Sequence, residues 1–104
     1  MIKLTDKIIG YDDPQDRTKF NSKTIKAGLT MTFENGYTIS IQFGMGNYCE
    51  NKFSSKDHSK DVEIAVFDKE NSFFRLPSMQ DEDVKGYINM DELADYIQEV
   101  KNLK

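Results

Sequence analysis

Cys49 and His58 are the only thiol and the only imidazole in the chain, so a Cys/His nucleophile–base pair is possible by inventory alone. A thiolate nucleophile needs a base within hydrogen-bond reach, and sequence separation alone fixes no such distance. Neither residue sits in a cysteine-hydrolase signature, and a lone small thiol at the end of a strand more often packs than reacts. Zinc takes three or four ligands at recognisable spacing, which this pair does not supply. Asp12, Asp13 and Asp16 offer carboxylates to a divalent cation, but the loop glycine and terminal glutamate of an EF-hand are missing. With Pro14 they read as a solvated turn. No metal, cofactor or catalytic residue is expected, and the chain is read as a non-enzyme.

Gly44-Met45-Gly46-Asn47 has the look of a phosphate-cradling loop, yet it lacks the third glycine and the lysine that such loops carry, and no amphipathic helix begins after it. The glycines instead suit a sharp strand exit. Met45, Asn47 and Tyr48 then form a candidate contact surface, since tyrosine and methionine are enriched in interface cores.

A second candidate surface lies near the C-terminus. Asp91, Asp95 and Glu99 recur at helical spacing and make an acidic stripe. Like charges so placed cost a helix roughly 0.2–0.5 kcal/mol per pair, so the stripe is not there for helix stability. Asp81-Glu82-Asp83, Asp61, Glu63, Asp68 and Glu70 add to it, giving a field that could steer a basic partner.

Some scaffold must position these groups, and composition bounds it. The 104 residues, 38% hydrophobic and 31% charged, suit a single domain over 1–104 with one core and no metal or disulfide staple. Eighteen acids against fourteen bases leave a net charge of -4, and the bases are scattered. The electrostatic footprint of a nucleic-acid binder is therefore missing. One cysteine allows no intrachain disulfide, the N-terminus carries no long apolar run, and no window approaches a membrane span. A cytoplasmic protein without a membrane partner is expected.

The strands are legible from alternation. Leu29, Met31 and Phe33 alternate with Thr30 and Thr32, and Tyr37, Ile39 and Ile41 with Thr38, Ser40 and Gln42. A two-residue turn at Asn35-Gly36 would put the two apolar rows on opposite faces. A three-residue loop, Glu34-Asn35-Gly36 with Gly36 left-handed, puts Phe33 opposite Tyr37, Met31 opposite Ile39 and Leu29 opposite Ile41. The same parity argument gives a second hairpin around Asp68 to Ser72, with Val66 opposite Phe74 and Ile64 opposite Leu76, ended by Pro77. Met1 to Ile9 supplies a further short strand ending at Gly10. Tyr11 to Ser22, with Phe20 dipping to the core, and Glu50 to Lys60 read as polar surface loops, the latter mobile.

Val84 to Ile88 is a short apolar segment. Asn89 and Glu92 then form a capping box, and Leu93, Tyr96, Ile97, Val100 and Leu103 give one apolar stripe. The fold expected is α+β: an antiparallel sheet of four to five strands from two hairpins, with a C-terminal helix on its apolar face.

The segment Gly36-Tyr37-Thr38-Ile39-Ser40-Ile41-Gln42-Phe43-Gly44-Met45-Gly46-Asn47-Tyr48-Cys49 resembles a recurring pattern in small accessory proteins of tailed bacteriophages, with Met45 where proline is more usual. The resemblance implies a phage origin and action by binding a host protein in the host cytoplasm, inhibiting or redirecting it, with antiviral defence components among the candidates. The alternatives are a structural or assembly protein of a phage particle or homo-oligomer, and a small enzyme using Cys49 and His58.

Overall fold

The computed structural model of the chain describes the backbone of residues 1–11, 20–54, 56–79 and 82–104, and the side chains of these except 7–11 and 20–26. Asp12, Asp13, Pro14, Asp16 and Asp81, together with the Phe20 side chain, lie outside the described residues. Five strands, β1 (Ile2–Tyr11), β2 (Phe20–Thr32), β3 (Thr38–Gln42), β4 (Asp61–Phe67) and β5 (Val84–Asn89), form one antiparallel sheet in chain order. One helix, α1 (Met90–Lys101), follows β5 directly.

The β2–β3 register is the one that parity demands: Leu29 pairs with Ile41 and Met31 with Ile39. The Phe33 N–H donates to the Tyr37 carbonyl at 2.9 Å, the Gly36 N–H donates to the Phe33 carbonyl at 2.9 Å, and Gly36 has φ +87°. That left-handed value is open to glycine at little cost. The polar rows share the other face, where the Thr32 and Thr38 hydroxyls lie 2.9 Å apart and the Gln42 amide donates to Thr5 Oγ1 and Ser40 Oγ.

Two expectations need correcting. Tyr11 and Phe20 to Ser22 belong to strands and not to a loop: β1 and β2 continue past the reach of β3, which covers only Gly28 to Thr32, and Tyr11 pairs with Phe20. The second hairpin turns as expected, with the Asp68 N–H donating to Ser72 and the Phe74 N–H to Val66. It then stops, because Pro77 has no N–H to offer a ladder and biases the residue before it. The chain turns instead through a short 3-10 segment, Pro77–Met79, that buries Leu76 and Met79. The neighbour of Ile64 on that side is thus Lys85 of β5, not Leu76.

Val62, Ile64 and Val66 alternate inward with Ile39 and Ile41, and Leu76, Met79, Ile88, Tyr96 and Val100 close over them. The helix stripe reads as expected: Leu93, Ile97 and Leu103 pack at the margin of this core. The Glu92 N–H donates to Asn89 Oδ1 at 2.9 Å and the Asn89 N–H to Glu92 Oε1 at 3.3 Å, which completes the capping box. The far end of α1 is held by Asn35, whose amide donates to the carbonyls of Val100, Lys101 and Leu103.

Candidate interaction surface

The segment between β3 and β4 is built as a set of side-chain staples. Asn47 Oδ1 accepts from the Gly44 N–H while the Asn47 N–H donates to the Gly44 carbonyl, closing a tight turn. Glu63, on the face of β4 away from the helix, accepts from the Tyr48 N–H at 2.6 Å and from Asn47 Nδ2 at 3.3 Å. Bonds to an ionised acceptor are worth roughly twice neutral ones, so Glu63 is the main anchor of this turn. Asn51 is 1% exposed and donates to the carbonyls of Phe43, Lys56 and His58. Glu50 and Asp61 close the base reciprocally: the Glu50 N–H donates to Asp61, and the Lys60 N–H to Glu50. Glu50 to Lys60, expected as a mobile polar loop, is therefore tied at both ends and through a buried centre.

On its other side the turn is received by β5. Gly86 and Tyr87 together oppose Glu63 across a bulge, and the Tyr87 N–H donates to the Tyr48 carbonyl at 2.8 Å. Tyr87 has φ +55°, an uncommon backbone state for a bulky residue and one that surrounding contacts must enforce. Gly86 leaves the space: a Cβ there would lie 2.4 Å from the Tyr48 Cβ.

What these staples present is aromatic. Tyr48, Phe53 and Tyr87 are 51%, 87% and 56% exposed. The Lys52 ammonium lies 4.7 Å from the Tyr48 ring centre and 5.6 Å from that of Phe53. Such contacts give about 0.5–1 kcal/mol at exposed sites, less than the roughly 1.5–3 kcal/mol that burying a phenylalanine would give. Phe53 is thus not placed for the stability of the fold. Of the residues singled out from sequence, Tyr48 lies on this surface, Met45 is half-buried, and Asn47 spends its amide inside the turn. Lys52, Phe53 and Tyr87 were not anticipated. Phe53 could have been, as the one large apolar residue in an otherwise polar stretch.

The acidic flank of α1 is partly absorbed by the fold. Asp91 and Glu92 occupy the first turn, where negative charge favours the helix, and Glu99 accepts from Ser78 Oγ at 2.7 Å. Asp91 and Asp95 are exposed, and Asp95 lines a hollow of about 250 Å³ with Ser78, Glu92, Tyr96 and Glu99. At the edge of this region Lys85 holds its proton above the ordinary lysine range, chiefly through its hydrogen bond with Tyr96.

Cys49 is buried, and its thiol faces the Gly44 carbonyl at 3.8 Å. The His58 ring lies on the surface with Nδ1 3.1 Å from Asp57, beside an apolar hollow of about 250 Å³ floored by Ile41, Phe43, Val62 and Leu93. Among the described residues no group of three His, Cys, Asp or Glu side chains is placed to hold a metal ion, and no helix is long and apolar enough to cross a membrane. No family model matches the chain, and no curated protein or solved structure matches it.

Proposed function

We propose that this chain is a non-enzymatic binding protein of phage type that grips a host protein in the host cytoplasm and inhibits or redirects it, with antiviral defence components as candidate targets. The observation that carries the reading is the exposed aromatic set Tyr48, Phe53 and Tyr87 with the half-buried Lys52 among them, held on a stapled turn and the β5 strand beside it. Aromatic side chains on a rigid support contribute large contact area at low entropic cost, and loops on rigid scaffolds are where binding concentrates. Asp91 and Asp95 add a negative field suited to steering a basic partner. The phage assignment rests on the resemblance of residues 36–49, and the non-enzymatic one on a thiol that is buried while the imidazole faces Asp57.

The test is paired capture from host lysate with the native chain and with Tyr48→Ala/Phe53→Ala. Stoichiometric recovery of one host protein by the native chain, lost in a double variant of unchanged circular dichroism, is the expected result. Full biological activity in that folded variant refutes the surface. Loss of activity in Cys49→Ala with the fold retained would favour a thiol enzyme instead.

A further inference from the structure

Strand β1 ends the sheet, and the direction of its outer hydrogen-bonding groups can be read from its first pair. The Met1 amino group donates to the Thr32 carbonyl at 2.8 Å, and the Thr32 N–H donates back to the Met1 carbonyl at 2.8 Å. In an antiparallel ladder, residues that exchange both bonds alternate with residues whose N–H and C=O face away from the partner. Ile2 and Leu4 therefore aim their main-chain groups off the edge of the sheet. Their side chains are 63% and 59% exposed, and a hollow of about 430 Å³ lined by Lys3, Leu4, Thr5, Asp6 and Thr30 lies beside them.

An edge to which no strand among the described residues adds, and which carries apolar side chains, is a template for another strand, and natural sheets ordinarily blunt such edges. The opposite edge is blunted here. β5 is six residues long, is broken by the bulge opposite Glu63, and has the Tyr87 N–H committed to Tyr48. Head-to-tail addition of β1 to β5 would meet that irregular edge. β1 against β1 meets its own copy about a two-fold axis, which closes the assembly.

Charge selects the register. An axis normal to the sheet keeps each face on its own side, so it sets odd residues opposite odd and even opposite even. Centred on Leu4, it sets Leu4 against Leu4 and Lys3 against Thr5. One step to either side sets Lys3 against Lys3 or against Lys7, and like charges directly opposite destabilise a strand pair. We propose that the chain forms a two-fold homodimer by antiparallel pairing of β1 with β1 of a second copy, centred on Leu4, joining two sheets into one of ten strands.

Sedimentation velocity of the full chain over a range of concentrations tests this. A monomer–dimer equilibrium is expected. Leu4→Pro removes an outward N–H without touching a β1–β2 bond, and because the axis counts it twice it should raise the dissociation constant about tenfold to a hundredfold. Thr5→Lys should weaken the dimer by setting lysine against Lys3, and adding Lys3→Glu should restore it. Should Leu4→Pro fail to fold, the lysine pair decides alone. A native chain that stays monomeric throughout, whether or not its edge accepts a strand from another protein, overturns the proposal. So does a folded Thr5→Lys variant that dimerises as the native chain does.

Discussion

The side-chain amide of Asn35 donates to the main-chain carbonyl of Val100 at 2.9 Å, across 65 positions of sequence. One residue thus shapes the β2–β3 turn, where its Oδ1 accepts from the Tyr37 N–H at 3.0 Å, and also caps α1, where the same amide meets the Leu103 carbonyl at 2.9 Å. Asn35→Ala should cost about 1–2 kcal/mol, because the Lys101 and Leu103 carbonyls lose this donor while the Val100 carbonyl keeps only its main-chain donors. Asn35→Asp should cost more, because a carboxylate offers no donor and opposes the negative end of the helix dipole. Urea unfolding should show a lowered midpoint at unchanged slope for both, and equal stability of Asp and Ala variants would refute the capping account.

Glu63 gives a second prediction, confined to the candidate surface. Glu63→Gln keeps the side-chain length but replaces one acceptor oxygen by a donor, facing two donors that need acceptors. A loss of about 1–2 kcal/mol is expected from the charge-assisted bonds, with faster amide exchange at Tyr48 while the amides of β3 keep their protection. Uniform loss of protection across the sheet would show that Glu63 supports the whole fold and not the turn alone.

Gly86→Ala tests the seat of Tyr48. The added methyl would lie 2.4 Å from the Tyr48 Cβ and 2.9 Å from the Tyr48 carbonyl oxygen, so the turn must lift away from β5. Overpacking of this kind costs typically about 1–3 kcal/mol. The amide of Tyr87 should lose protection first, and capture of the partner should fall with it. A variant with native stability and native Tyr87 exchange would mean that the turn is not seated on β5.

The Asp57–His58 contact predicts a pH effect of definite sign. Its hydrogen bond with His58, followed by the charge of that ring, holds the Asp57 carboxyl below the ordinary carboxylate range. A depressed folded value means that the contribution is present above the unfolded pKa of about 3.9 and is lost as pH falls through the folded value. Side-chain carboxyl NMR should place Asp57 below the other exposed aspartates, and His58→Ala should return it to their range. An unchanged Asp57 titration in that variant would show that the two groups are not coupled.

Parity made much of this fold legible. The apolar rows of Leu29 to Ile41 admit one face only if the turn holds three residues, and Asn89 with Glu92 marks the helix start within a few positions. The 3-10 segment was hidden, because Phe73 to Leu76 reads as a strand until Pro77 turns it, and Val84 to Asn89 carries a glycine that weakens its strand pattern. The candidate surface was legible only at Tyr48. Its remaining parts depend on contacts distant in sequence, from Glu63 to Tyr48 and from Tyr87 to Tyr48, and on a local one, from Asn51 to three carbonyls, and a polar side chain used as a staple looks in one dimension like ordinary loop text.

No linker separates β5 from α1, since Asn89 is at once the last residue of the strand and the cap of the helix. Tyr87 therefore stands two residues ahead of that cap, on the same unbroken stretch of backbone that launches the helix. Strand and helix form a single bent lever with its elbow at Asn89, so a partner seated on the aromatic ring takes hold of the lever's short arm. The long arm, with its exposed Asp91 and Asp95, is then already aimed, and the two candidate surfaces are held in one fixed orientation to each other.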